Sequence, residues 1–427
     1  MTEAAGYSYV VSRRRNTTTY WRCSVRNRNN ACLATVTQNG DNEFSHGRHN
    51  HNHAASVGVH IAKPLVRDVK AAAVQDVFQP ASDIVDKELK NVDLSQPCPA
   101  LPCVSNIIRI ANRYRCKERP KDPQDLAFAL DESYIPNDFL VADVAKHGQR
   151  HLIFASRECL RLLSLSKSWY IDGTFSVVGK PFQQLLSIHC FVKCDSCVKQ
   201  IPLAYVLMSR RKTKDYSAVL LALISRMPGV SVRSVTSDFE RALWRAVSAV
   251  FPNVEHHGCT FHWTQAVYRK IQSLGLASAY QSDRSTHKLC RQLMALPLIP
   301  ATDIPSVVAD LRKQAFSESL RSLFDYVDKT WLQNLVWPPS AWCAYRRAIR
   351  TNNDVEGWHY RLKRKARSCH LPLYVLIRLM HEESQVCSMH VKLVSDRKLK
   401  RTQKRKYLEL HSRLNKLWGS SNVAVSQ

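Results

Sequence analysis

With 427 residues, 45% of them hydrophobic, and nine tryptophans, the chain is too long for one ordinary core and too apolar for wholesale disorder. Its 62 Lys+Arg against 35 Asp+Glu give a net charge of +27, which points to a polyanionic partner, nucleic acid ahead of an acidic membrane surface. No apolar run approaches the ~18 residues of a spanning helix and "MTEAAGYSYVVSRRR" has no signal-peptide core, so an intracellular protein with reduced cysteines is expected.

In residues 7–53, the runs "YSYVV", "TTTYWRCSV" and "CLATVT", with "QNGDN" as a turn, predict short strands. A segment this short and polar buries too little apolar surface to fold well alone, and a structural metal would compensate. Cys23, Cys32, His49 and His51 supply two thiolates and two imidazoles, a closed tetrahedral zinc set. Residues two apart on a strand share a side, so His49 and His51 can face one ion, although His46 and His53 leave the choice of imidazoles open. "YWRC", the second cysteine and the closing "HNH" resemble the FLYWCH zinc finger. The resemblance implies Cys23, Cys32, His49 and His51 as zinc ligands and either DNA or protein as partner. Arg13, Arg14, Arg15, Arg22, Arg26 and Arg28 suit phosphate contact, or serve only solubility.

Residues 54–125 read as a linker with short helices at "VKAAAVQDVF" and "DIVDKELKNV", broken by the prolines of "SQPCPALPC". Further on, "RHLIFASRECLRLLSLS" predicts a helix. Three strands follow in "SWYIDGTFSV", "FQQLLSIHCFV" and "IPLAYVLMS", the last two joined by a hairpin turn in "KCDSCVKQ". Next come the helix "DYSAVLLALISRM", the strand "VRSVTSD", the helix "FERALWRAVSAVF", the strand "VEHHGCTF" and the helix "HWTQAVYRKIQSL". Three meander strands followed by alternating helix and strand is the order of an RNase H-like α/β fold, here over 126–275. A helical insertion (276–345), a further catalytic helix (346–385) and a basic C-terminal helix (386–427), striped by Leu410, Leu414 and Leu417, complete the expected organisation.

Asp172 lies on the first of those strands and Asp238 ends the fourth. The ends of neighbouring strands in an open α/β sheet form the crevice where ligands sit. A third carboxylate on a later helix, Glu356 in "TNNDVEGWHYRLKRK", would complete a site for two divalent ions, ~3.5–4 Å apart, that clamp an in-line phosphoryl displacement. Hard oxygen ligands suit Mg²⁺. Arg361, Lys363, Arg364 and Lys365 would grip the DNA backbone beside the cut. The plainer alternatives are that Asp238 caps a helix and Asp172 opens a turn, with Glu240 and Asp354 as competing carboxylates. Asp354 points about 200° away from Glu356 around a helix, so the two do not share one role.

"WYIDGTF", "IPLAYVLMSRRKTKDY", "SDFERAL" and "GCTFHWTQAVYRKIQ" resemble the Mutator-like element (MULE) transposase domain, over roughly 130–380. The resemblance implies an acidic DDE triad on Asp172, Asp238 and Glu356, and a helical insertion ahead of Glu356. It also implies metal-dependent cutting and joining of DNA with Mg²⁺ or Mn²⁺ as cofactor, beside the zinc of the finger. Cys259 and His262 in "CTFH", a pair that related transposases share, either support the site or are simply a core cysteine and a hydrogen-bonded histidine, the plainer reading. Double-stranded DNA, both transposon ends and target, and a second copy of the chain are the expected partners, in the nucleus and without a membrane. The alternative of a different class is a domesticated DNA-binding regulator that keeps the fold without the chemistry.

Overall fold

The structure is a computed structural model that describes residues 2–4, 6–27, 30–40, 43–93, 95, 98–195, 197–347, 349, 353–401 and 405–419. The chain divides into two compact units, Met1–Lys121 and Asp122–Gln427.

The first unit opens with β1 (Thr2–Ala4), β2 (Tyr7–Arg15), β3 (Thr18–Cys23) and a short hairpin, β4 (Arg26–Asn27) and β5 (Asn30–Ala31). β6 (Thr35–Asn39) and β7 (Glu43–His46) complete an antiparallel sheet in the order β1-β2-β3-β6-β7. Tyr9, Trp21 and Val36 bury one face. Cross-strand partners share a side, so the pairs Arg13–Tyr20, Arg15–Thr18 and Val10–Arg22 put three exposed arginines on the other face.

The stretch expected to be a linker has a core of its own. α1 (Val59–Gln75), α2 (Ala81–Lys90) and α3 (Val104–Glu118) pack through Leu65, Val69 and Ala73, Ile84 and Val85, and Ile107 and Ala111. The i, i+4, i+8 spacing in α1 builds the apolar stripe that pulls the three helices together. α3 was not among the expected elements: its stripe is narrow and flanked by charge.

The second unit is built on a seven-stranded sheet. β8 (Leu140–Lys146) and β9 (Gln149–Phe154) precede α4 (Arg157–Leu165), and β10 (Ser168–Thr174), β11 (Gln184–Cys194) and β12 (Cys197–Met208) form an antiparallel meander. α5 (Thr213–Ile224), β13 (Ser234–Ser237), α6 (Arg241–Val250), β14 (Glu255–Gly258) and α7 (Thr260–Ser273) alternate after it. The strand order is β14-β13-β10-β11-β12-β9-β8, with β13 parallel to β10 and β14 parallel to β13. "RHLIFASRECLRLLSLS" is therefore not one helix. Leu152, Ile153 and Phe154 are buried against β12, and Ser156 then caps α4 by accepting the Cys159 N–H.

The expected helical insertion comprises α8 (Ala277–Ser282), α9 (Arg284–Met294), α10 (Ile304–Arg312), α11 (Glu318–Val327) and α12 (Pro339–Trp342). Its core joins α7 through Trp263, stacked 4.3 Å from Trp342 and edge-on to Trp331. α13 (Asn353–Ala366) carries Glu356, and α14 (Leu373–Ser395) runs unbroken through position 385, where the sequence reading placed a boundary. In α15 (Arg405–Leu417), Leu410 and Leu417 of the leucine stripe are exposed, and the neighbouring Trp418 is buried, donating Nε1–H to Leu298 O. No helix among the described residues is long and apolar enough to cross a membrane.

Candidate metal centres

At the end of the finger sheet, donor atoms of Cys23, Cys32, His51 and His53 lie within 4.8 Å of one another. Cys23 Sγ is 3.2 Å from His53 Nε2, and Cys32 Sγ is 3.4 Å from His51 Nδ1. Ligands ~2.3 Å (sulfur) and ~2.05 Å (nitrogen) from a tetrahedral zinc sit about 3.5 Å apart, so the four residues fit that ion. His53, not His49, stands in this group. β7 ends at His46 and irregular backbone follows, so the strand alternation that paired His49 with His51 does not extend there. His49 is exposed, while Tyr7 stacks on His51 at 3.6 Å.

Contacts behind the two imidazoles explain the aromatic strand. Tyr9 Oη lies 2.7 Å from His51 Nε2, and the Ala54 carbonyl lies 3.0 Å from His53 Nδ1, so each imidazole is held through its other nitrogen. Of the finger's arginines, Arg13, Arg14, Arg15, Arg22 and Arg26 are exposed, and the Arg13 guanidinium lies 4.2 Å over the Tyr20 ring. Arg28 lies outside the described residues.

The second centre forms at the carboxyl ends of β10, β13 and β14. Ile171 pairs with Ser237, and Ser237 with Gly258, so Asp172 and Asp238 leave neighbouring parallel strands side by side, and α7 starts two residues beyond β14. The first turn of α7 supplies His262, and that of α13 supplies Glu356. Donor atoms of Asp172, His262 and Glu356 lie within 4.8 Å of one another, with His262 Nε2 3.3 Å from Glu356 Oε1. Asp238 is outside that tight group but adds its charge to Asp172.

Asp172 is buried at 4% exposure. Its Oδ1 accepts the Gly173 N–H at 2.8 Å, and its Oδ2 has no hydrogen-bond partner. An orphaned, buried carboxylate oxygen beside a second acid and an imidazole is what a cation site requires. Burial, opposed by His262 and reinforced by Asp238 and Glu356, pushes the Asp172 carboxyl up to about 7. Burial also raises Asp238. For His262, burial favours the neutral ring, but its bonds to Cys259 and Glu356 and the charge of Asp172 outweigh this and raise it to about 11. Of the pair Cys259 and His262, it is His262 that stands in the acidic group.

The competing carboxylates have other work. α6 begins without a side-chain cap, so Asp238 is not used as one. Glu240 accepts the Tyr216 hydroxyl at 3.0 Å and lies 3.8 Å from Arg211. Asp354 forms a 2.6 Å ion pair with Arg401. The four cations of α13 divide as well: Lys363 and Arg364 are exposed, whereas Arg361 and Lys365 each reach buried Glu383 of α14 at 2.6 Å. Behind Asp172, His359 Nδ1 lies 3.9 Å from Oδ2, and a buried chain runs from His359 through Ser187 to His189. Sequence reasoning missed His359; its only signal was its place one turn after Glu356.

Among the described residues, the acidic group at the strand ends and the Cys₂His₂ group of the finger are thus two sets of side chains that could each hold a metal ion. Residues 168–266 match the family model of the MULE transposase domain, and residues 4–53 match that of the FLYWCH zinc finger domain. No curated protein matches the chain. The chain carries a MULE transposase domain behind an N-terminal FLYWCH zinc finger, and these two domains point to a transposase-derived, DNA-binding protein.

Proposed function

We propose that the protein is a DDE-type DNA transposase with an RNase H-like core, in which Asp172, Asp238 and Glu356 hold divalent ions for cutting and joining DNA strands. The observation that carries this reading is the convergence of Asp172 Oδ2, buried and without a hydrogen-bond partner, with Glu356 from a distant helix. The strand order supports the core assignment, because an antiparallel meander, β10–β12, is extended by two parallel strands on the β10 side. β8 and β9 add to the opposite edge.

When bound, Mg²⁺ or Mn²⁺ would activate the attacking oxygen and stabilise the leaving one. The protein's part is to fix the geometry. β10 and β13 set the spacing of Asp172 and Asp238, and the network from Glu383 to Trp358 and Arg361 locks α13, and with it Glu356, onto α14. Lys363 and Arg364, free of that network and exposed, face the DNA backbone. The finger, stabilised by zinc, binds DNA through the Arg13, Arg15 and Arg22 face, and the protein works in the nucleus as more than one copy on its element ends.

Nicking of supercoiled plasmid by the zinc-loaded protein, with Mg²⁺ or Mn²⁺, tests the proposal beside Glu356→Gln. Metal-dependent nicking that vanishes in the variant supports it. DNA binding without nicking would favour a domesticated regulator, and equal nicking by both proteins would remove Glu356 from the chemistry.

A further inference from the structure

We infer that His262 is itself a metal ligand, so that one ion of the acidic centre sits in a mixed shell of Asp172, His262 and Glu356 rather than an all-carboxylate one. The inference rests on the reading of this centre as metal-binding and deepens it by naming the shell and the ion it favours.

Three observations carry it. His262, Asp172 and Glu356 each place a donor atom within 4.8 Å of the others, a group in which Asp238 does not take part. In an octahedral shell with bonds of about 2.1 Å, neighbouring ligands lie ~3 Å apart and opposite ones ~4.2 Å, so the group needs little adjustment to close on an ion. Second, His262 Nε2 lies 3.3 Å from Glu356 Oε1, so the ring nitrogen that would bind already stands against a carboxylate oxygen of the centre. Third, Asp172 Oδ2 is buried and has no hydrogen-bond partner.

His262 owes this position to chain geometry. β14 ends at Gly258, Cys259 stands at the N-cap of α7, and His262 follows within the first turn. The ring therefore enters the crevice from the strand edge, while Glu356 enters from α13. A Cys-x-x-His spacing puts the Cys259 thiol next to the imidazole at the start of the helix. Imidazole is a softer donor than carboxylate and suits Mn²⁺ better than Mg²⁺. The site with His262 should accordingly favour Mn²⁺, and loss of the ring should narrow that preference.

Pulsed electron paramagnetic resonance of Mn²⁺ added to the zinc-loaded full-length protein tests this without reference to activity. The expected result is Mn²⁺ bound in an Asp172-dependent manner, with the modulation of a directly bonded imidazole nitrogen. That modulation should change isotope pattern when only the histidines carry ¹⁵N, a test in the unaltered protein that no folding defect can confuse. It should disappear in His262→Ala and persist in His359→Gln, the variant that removes the other imidazole facing Asp172. Mn²⁺ affinity should fall about tenfold or more in His262→Ala. Mn²⁺ that binds, is lost in Asp172→Asn, and shows no histidine coupling would overturn the assignment of His262 while leaving the acidic centre a metal site. Modulation that survives His262→Ala would overturn it equally. Absence of any Asp172-dependent Mn²⁺ binding would overturn both this inference and the reading beneath it.

Discussion

Arg361 on α13 places its guanidinium 2.6 Å from Oε2 of Glu383, a carboxylate on α14 with no solvent exposure. Lys365 Nζ lies 2.6 Å from the other oxygen, and Trp358 Nε1 donates to Oε2 at 2.7 Å. Two cations of a basic run thereby hold the helix that presents Glu356. Arg361→Ala should destabilise the protein by about 1–3 kcal/mol, less than a fully buried pair would cost because Arg361 is partly exposed and Lys365 remains. Lys363→Ala and Arg364→Ala should stay within about 0.5 kcal/mol of wild type in urea denaturation and weaken DNA binding instead. Equal stability losses in all three variants would mean the division of roles is wrong.

The same carboxylate sets an acid limit. Burial opposes its charge, but Lys365 and Arg361 outweigh burial and hold Glu383 below its ordinary value. A depressed carboxyl contributes stability above its unfolded pKa of about 4.3 and loses it as pH falls through the lower folded value. Denaturation midpoints should fall more steeply below about pH 4 for wild type than for Glu383→Gln. Parallel curves would show that Glu383 is not linked to folding.

In the finger, His53→Ala should abolish tight zinc binding, measured as zinc per chain after dialysis, whereas His49→Ala should leave it near wild type. Tyr9→Phe removes the hydroxyl behind His51 and should weaken zinc by about 10–100-fold without abolishing it. Zinc retained by His53→Ala and lost by His49→Ala would restore the assignment made from spacing. Chelation of zinc from the wild-type protein should collapse the β1–β7 sheet, whose own core is little more than Tyr9, Trp21 and Val36.

The finger's arginine face makes a prediction about salt. If Arg13, Arg15 and Arg22 each meet a phosphate, replacing any one with Ala should weaken DNA binding across all sequences and lower the salt slope by about 1. Unchanged slopes would direct the finger toward a protein partner.

Much of this was legible in the sequence, and the exceptions have physical causes. The meander and its alternating helices could be read because β11 and β12 are long apolar runs bounded by turns. β9 was hidden because "HLIF" and the following helix share one continuous apolar stretch, and only Ser156 marks the break. The thiolates of the finger were identifiable by type, but the imidazoles were not, since four closely spaced histidines fit the same rule. Asp172, Asp238 and Glu356 were proposed from strand ends and resemblance; Asp172 and Glu356 come together with His262, and Asp238 stands outside that group. Glu383, by contrast, looked like any helical acid. The clue lay in periodicity: Trp358, Arg361, Leu362 and Lys365 recur at i, i+3, i+4 and i+7, which puts the two cations on the buried side of α13. Asp354 followed the sequence argument, turning away from Glu356 to meet Arg401.

The most direct test of the central claim is single-turnover joining of a 3′-hydroxyl DNA end to plasmid, with DNA binding measured on the same samples. Wild type would be compared with Asp172→Asn, Asp238→Asn and Glu356→Gln in Mg²⁺ and in Mn²⁺. The account predicts that all three variants bind DNA like wild type and lose joining by about a thousandfold or more, as removal of a group that stabilises transition-state charge does. Joining at the wild-type rate by any one of the three would contradict the assignment of a single acidic centre to the chemistry.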